Sequence, residues 1–255
     1  MKSIKIDFQK EKLGKYISAR INKVWENPPR IKGVNRVSVV KLNNKKVLQI
    51  KFPKDKFGLE ESGAQWKLKF KDKEEIYVKY KIFFPKGFNF VRGGKLPGLH
   101  GGSSPAGGEN QKNATGFSAR IMWRTHGFVE NTTKNPHKAY LCQYLYYPKK
   151  DQHWGKDFNW ELNGKKVYIE TGIWHTIKTR IKLEEAGKEN DLIESWFDGK
   201  KVLSIKLMLR DQGYKYGIDT FNFIGMFGGN ENTWAPKKEE YILFDDFVIS
   251  DKKIK

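Results

Sequence analysis

An all-β chain, built as an antiparallel β-sandwich of jelly-roll type with a concave substrate cleft, is the architecture this sequence predicts. Apolar residues recur with a two-residue period, as in strands with one face buried and the other wet. Short runs are punctuated by Gly, Pro and Asn turns, and no βαβ alternation appears. A length of 255 residues fits one large domain over residues 1–255 better than two small ones.

The elements follow in chain order. Residues 1–30 form a partly helical N-terminal segment: Leu13, Ile17, Ile21 and Val24 make a helical stripe within residues 9–26, which Pro28-Pro29 would end. The run from Val37 to Phe52 reads as two strands joined at Asn43-Asn44, and Ile76, Val78, Tyr80, Ile82 and Phe84 alternate with wetter neighbours. Arg92 to Gly116, rich in Gly and Ser, reads as a long loop bordering the cleft. Strands are expected at Phe117–Arg124 and Tyr140–Tyr147, then Leu192–Phe197 and Lys201–Lys206 about an Asp198-Gly199 hairpin turn, and finally Tyr241–Ser250.

Charge narrows the partners. Lys and Arg number 49 against 29 Asp and Glu, a formal net charge of +20, which raises encounter rates with polyanions. The basic residues are spread through strands and turns, with no zinc-finger spacing, basic helix or RNP-type strand, so nucleic acid is not the expected partner. No run approaches the roughly 18 apolar residues needed to span a bilayer, and the first residues lack the apolar stretch of a signal peptide. A soluble monomer acting outside the producing cell, secreted or virus-associated, is expected, with no membrane partner. The five histidines show no H-x-H or H-x-x-x-H spacing, and Cys142 is the single cysteine, which disfavours a transition-metal centre. No cofactor is expected for catalysis. Asp245-Asp246 is the candidate place for a structural calcium, although adjacent aspartates on a strand face opposite sides.

Side-chain direction locates the candidate site. On the strand Phe117–Arg124, Phe117, Ala119, Ile121 and Trp123 share the face suited to the core, which leaves Ser118, Arg120, Met122 and Arg124 on the other. There a guanidinium can hold a sugar carboxylate in two parallel hydrogen bonds. On the next strand, Tyr140, Cys142, Tyr144 and Tyr146 share one face. If the strands share a sheet, Arg120, Tyr144 and Tyr146 cluster, with Lys95 delivered from the glycine-rich loop and His100 able to touch substrate. An outward arginine is ordinarily a solvated cation and a strand tyrosine ordinarily a packing residue, so alternation alone does not decide the matter.

Three fragments do more: K-L-P-G-L-x-G-G from Lys95, S-x-R at Ser118 to Arg120, and Y-x-Y at Tyr144 to Tyr146 before Pro148. Their order and spacing resemble polysaccharide lyase family 14, the alginate and glucuronan lyases of algal viruses and molluscs. The likeness covers roughly residues 75–250 and extends to the hairpin Trp196-Phe197-Asp198-Gly199; the segment Thr125–Lys138 is a departure from it. The resemblance implies a jelly roll, an anionic polysaccharide substrate, Lys95 as an essential lysine, Ser118 and Arg120 as a carboxylate-binding pair, and Tyr144 and Tyr146 as catalytic tyrosines. The implied reaction is β-elimination from an acidic polyuronate, giving unsaturated uronate ends. Tyr144 and Tyr146 are jointly the candidate base and acid, and Lys95 is an alternative base. With unperturbed values near 10 for both residue types, nearby cations would have to lower a phenol's pKa, and an alkaline optimum is expected. A non-catalytic lectin-like sandwich gripping acidic glycans is the alternative from another class. A glycoside hydrolase needs paired carboxylates, and Glu161, Glu170 and Glu194 lie on none of the strands that carry the cationic cluster.

Overall fold

A computed structural model describes residues 1–107, 115–125, 137–148, 153–229 and 231–254. Two antiparallel sheets make the sandwich. One has, in spatial order, the strands Lys200–Leu207, Asp191–Phe197, Trp174–Lys182, Glu75–Phe83, Glu240–Ser250, Lys45–Phe52, Val37–Leu42 and Gly14–Lys15, with Ile4–Ile6 paired beside Glu240–Ser250 as its ninth strand. The other runs Lys156–Asn159, Tyr140–Tyr146, Gly116–Arg124, Gly93–Gly102, Ile218–Phe227, Ala64–Lys73 and Ile31–Lys32. Strands distant in sequence lie side by side in both sheets, the crossovers of a jelly roll. No helix among the described residues is long and apolar enough to cross a membrane.

The inner faces meet over an aromatic core. Trp66 stacks on Phe223 at 4.1 Å between ring centroids, and Trp123 meets Phe227 edge to face at 5.4 Å. These rings explain how a lysine-rich chain holds together: large side chains buried at strand period two remove apolar area that surface charge cannot. Hairpins form where their turn residues require. Asn43 and Asn44 adopt φ of 46° and 65°, and Asp198 and Gly199 adopt 49° and 79°, the left-handed pair that matches strand twist.

Two expectations are corrected here. The N-terminal helix is shorter than its apolar stripe, spanning only Ser18–Val24, because Gly14–Lys15 pairs instead with Val39 and Ser38. Leu13 and Ile17 are left exposed, whereas Ile21 and Trp25 enter the core. Glu26 and Asn27 turn with φ of 55° and 53°, which ends the helix before the prolines.

The second correction matters more for function. Gly93–Gly102 is a strand in the middle of its sheet, not part of a loop. Its glycines serve close approach: a Cβ on Gly94 would lie 2.0 Å from the Trp123 indole, and one on Gly98 2.0 Å from the Ala119 carbonyl oxygen. Gly94→Ala is therefore expected to destabilise the fold by roughly 1–3 kcal/mol through overpacking, read as a lower urea midpoint at unchanged slope. Of the rest of the Arg92–Gly116 stretch, residues 108–114 lie outside the described residues.

At Asp245-Asp246 the strand bulges, with Asp246 at φ 53°. Asp246 pairs with Lys81 at 2.7 Å, while burial, with Asp246 and Asp7 beside it, pushes Asp245 up to about 6. Among the described residues no group of three His, Cys, Asp or Glu side chains is gathered to hold a metal.

Candidate active site

The site sits on the outer face of the seven-stranded sheet, where three neighbouring strands bring the candidate residues into register. Tyr144 pairs opposite Arg120 and Tyr146 opposite Ser118. On the other side of that strand, Lys95 lies opposite Met122 and His100 opposite Ser118. Lys95 thus comes from a paired strand, which fixes its backbone more firmly than the loop expected from composition. Phe117, Ala119, Ile121 and Trp123 enter the core as alternation requires.

The opposite face is not the open surface that alternation suggests. Ser118, Arg120, Met122 and Arg124 are at most 3% exposed, because chain from elsewhere lies over them. Ser118 donates to the Pro105 carbonyl at 2.7 Å and accepts from Arg120 at 2.8 Å. His100, fully buried, shares a hydrogen bond between its Nδ1 and Ser104 Oγ, and Lys67 donates to the same oxygen at 3.2 Å. Burial and the charges of Arg120, Lys67 and Lys69 push His100 well below its ordinary range, so it is a neutral imidazole near pH 7.

Beside this covered group opens a cavity of ≈ 280 Å³ lined by Lys95, Met122, Arg124, Tyr144, Trp154, Trp234, Gly107 and Gly229. Tyr144 and Tyr146 meet edge to face with their hydroxyls 3.3 Å apart, and the Gly155 N–H donates to the Tyr144 hydroxyl at 3.0 Å. Arg124 is gripped by both carboxylate oxygens of Asp157, at 2.9 and 3.1 Å. Its guanidinium stands 5.4 Å from the Tyr144 ring centroid and 5.8 Å from that of Trp234. Arg92 flanks the same indole at 4.6 Å while bonded to Glu231 at 2.8 Å.

Electrostatics separates Lys95 from Tyr144 in a way the residue types alone did not. Burial lowers Lys95 to about 7, with further help from the charges of Arg120 and Arg124. Tyr144 moves the other way. Burial and the neighbouring Tyr146 raise it far above the ordinary phenol range, outweighing Arg124 and the Gly155 N–H, which pull it down. The expected cation-lowered phenol is thus corrected: at this position desolvation wins. Near neutrality the cavity offers an amine that exchanges its proton readily and a phenol that keeps its own.

Inside the sheet, the alternation that sends the tyrosines outward sends Gln143 inward. Its amide donates to the Arg120 carbonyl at 2.9 Å and accepts from Ser195 at 3.1 Å, and Ser195 lies 3.2 Å from Thr179. Ser195 and Thr179 belong to the nine-stranded sheet, so this chain of polar groups spans the core.

The structure therefore brings Lys95 and Tyr144 to one cavity, with Tyr146 bonded to Tyr144 and with Ser118, Arg120 and His100 adjoining under residues 103–107. Of the Thr125–Lys138 segment, residues 126–136 lie outside the described residues. Arg124, Asp157 and Trp234 were not singled out from sequence. Arg124 continues the two-residue period of Ser118 and Arg120 and was findable on that basis. Trp234 sits in a short 3₁₀ turn, Asn232–Trp234, and no periodicity points to it.

Comparison with known folds and families agrees with the sandwich architecture. Alginate lyase Aly36B superposes with a TM-score of 0.83 at 19% identity, over 99% of this chain and 97% of its own. The PL-14 alginate lyase of Aplysia kurodai gives 0.71 at 20% identity, over 98% and 99%, and alginate lyase vAL-1 from Chlorella virus gives 0.64 at 21%, over 87% and 90%. At these identities the likeness establishes a shared β-sandwich fold. A search of curated proteins gave no match. The family model described as Polysaccharide lyase 14 matches residues 41–247, a span holding every strand of the candidate site, and on that match the chain belongs to polysaccharide lyase family 14.

Proposed function

We propose that the protein cleaves an acidic polyuronate, an alginate rich in mannuronate or a glucuronan, by β-elimination. The observation that carries this reading is one cavity lined by Lys95, Tyr144 and Arg124, in which burial and the charges of Arg120 and Arg124 lower the lysine to about 7 while burial keeps the tyrosine protonated. In the first step the neutral amine of Lys95 takes the C5 proton of a uronate. The electron pair left behind spreads onto the sugar carboxylate, where Arg120 and Arg124 stabilise charge that is greater in the transition state than in the ground state. That pair then forms the C4–C5 double bond as the C4–O4 bond breaks, and the Tyr144 hydroxyl supplies the proton to the departing oxygen. The ammonium of Lys95 and the phenolate of Tyr144 are reset by proton exchange, a route that the Tyr146 hydroxyl extends.

Lys95 and Tyr144 border one cavity, a layout suited to a C5 hydrogen and O4 on the same side of the ring, as in mannuronate and glucuronate. Guluronate, the C5 epimer, sets them on opposite sides. Incubation with polymannuronate, polyguluronate and glucuronan is expected to yield near-ultraviolet absorbance from unsaturated ends, fastest on polymannuronate or glucuronan. Absence of that absorbance on all three would remove the lyase reading, and faster cleavage of polyguluronate would remove the shared-side geometry.

A further inference from the structure

The cavity that holds Lys95 and Tyr144 has two indoles on its wall, and they differ in kind. Trp234 is 5% exposed and built into the frame: Arg92 stands 4.6 Å from its ring centroid and Arg124 5.8 Å. Gly229, at φ 123°, makes room for it, since a Cβ there would lie 2.2 Å from the indole. Trp154 is 38% exposed, and among the described residues it is the exposed large apolar side chain that borders this cavity. A single apolar side chain on a surface is ordinary, so exposure alone assigns it nothing. Its position does.

Backbone sets that position, one residue along the chain. The Gly155 N–H that donates to the Tyr144 hydroxyl at 3.0 Å directly follows Trp154. Gly155 lies so close that a Cβ on it would meet Cζ of Tyr144 at 2.6 Å and Cε2 of Tyr146 at 2.8 Å, so glycine here lets the chain pass against both phenols. The strand that follows puts Asp157 opposite Tyr144, and the same carboxylate grips Arg124. His153, the residue before, meets the Trp154 indole edge to face with ring centroids 4.8 Å apart. The indole is thus tied to the phenol that the reaction needs as acid.

In the elimination the C4–O4 bond breaks, and O4 leaves with the sugar to which it is also joined. That departing sugar begins where the Tyr144 hydroxyl delivers its proton. An indole held one residue from the Tyr144 contact, on the same cavity, meets this sugar rather than the uronate whose C5 faces Lys95. We propose that Trp154 is a specificity-determining residue whose indole stacks on the ring of the departing sugar, an inference that rests on the polyuronate lyase reading of the cavity. A pyranose presents C–H groups on its ring face, and an aromatic plane takes them out of water without needing a charge. No bond within the stacked ring changes, so the contact is equally strong in the ground state and the transition state. Its signature is therefore KM rather than kcat.

The test follows steady-state cleavage of hexamannuronate by the parent, Trp154→Ala and Trp154→Phe, and binding of the same oligosaccharide to each in a Lys95→Met background, where it stays whole. Trp154→Ala is expected to raise KM and the dissociation constant roughly tenfold, with kcat within about twofold of the parent and the rise of kcat/KM through pH 7 retained. Trp154→Phe, which keeps an aromatic plane, is expected to restore most of the affinity. The ratio of products is expected to stay the same, because every productive binding mode fills the subsites on both sides of the broken bond. If hexamannuronate is cleaved and neither KM nor binding changes, the stacking role is overturned and the lyase reading stands. If binding depends on Trp154 and the Lys95 enzymes cleave no polyuronate, the lyase reading fails and the glycan contact stands. A fall in kcat at unchanged KM would make Trp154 a positioning residue acting through Gly155 on Tyr144, and a changed product ratio would put the indole under a more distant sugar; either overturns the assignment. Should Trp154→Ala fail to fold, Trp154→Leu, apolar but without a ring, gives the same readings.

Discussion

Lys95→Met is expected to lower kcat by roughly a thousandfold, because it removes both the amine that takes the C5 proton and a cation beside the developing negative charge. Methionine fills a similar volume in a cavity already lined by Met122, so the fold is expected to stay intact. The pH profile separates this role from simple charge attraction. A lysine held near 7 by burial and two guanidinium groups becomes increasingly neutral as pH rises through that value, so kcat/KM of the parent should climb across it and then level off. An attractive ammonium predicts the reverse, a decline above 7. Tyr144, raised by burial, stays protonated throughout that range and adds no falling limb near neutrality. A profile that falls through pH 7 would move the base away from Lys95.

Tyr144→Phe is expected to cost about a hundredfold in kcat, within the usual range for loss of a general acid, with KM little changed. The ring remains to meet Arg124 and Tyr146, so the cavity keeps its walls; only the proton donor is lost, leaving the Gly155 N–H without its acceptor. That lost hydrogen bond costs about 1 kcal/mol of stability, too little to unfold the sheet. Full turnover in the phenylalanine variant would assign proton delivery to Tyr146 or water. A matching loss in both kcat and folding stability would make Tyr144 a structural residue.

Much of this is legible in the sequence, and what is not has a physical pattern. The hairpins at Asn43-Asn44 and Asp198-Gly199 were readable because their turn conformations demand those residue types. The faces of Phe117–Arg124 and Tyr140–Tyr146 were readable because side-chain direction alternates without exception along a regular strand. Gly93–Gly102 was misread as loop because glycine usually signals flexibility, whereas here it makes room for Trp123 and for the Ala119 backbone, partners that only tertiary packing supplies. The direction of the Tyr144 shift was misjudged for a related reason: composition reveals nearby cations but not how thoroughly a phenol is removed from water. Arg124 was on the correct face, but its grip on Asp157 joins residues 33 positions apart, a distance that local pattern does not cross.

The polar chain from Arg120 through Gln143 and Ser195 to Thr179 acts as a registration pin for the strand that carries Tyr144 and Tyr146. Were Tyr140–Tyr146 to slip by one residue during folding, Gln143 would swing away from its hydroxyl partners while phenols dropped into a hydrocarbon interior with no acceptor waiting. Either fault alone is costly, and the geometry of a pleated strand forces both together. The amide at 143 therefore helps the chain reject a misaligned cleft before a sugar ever arrives.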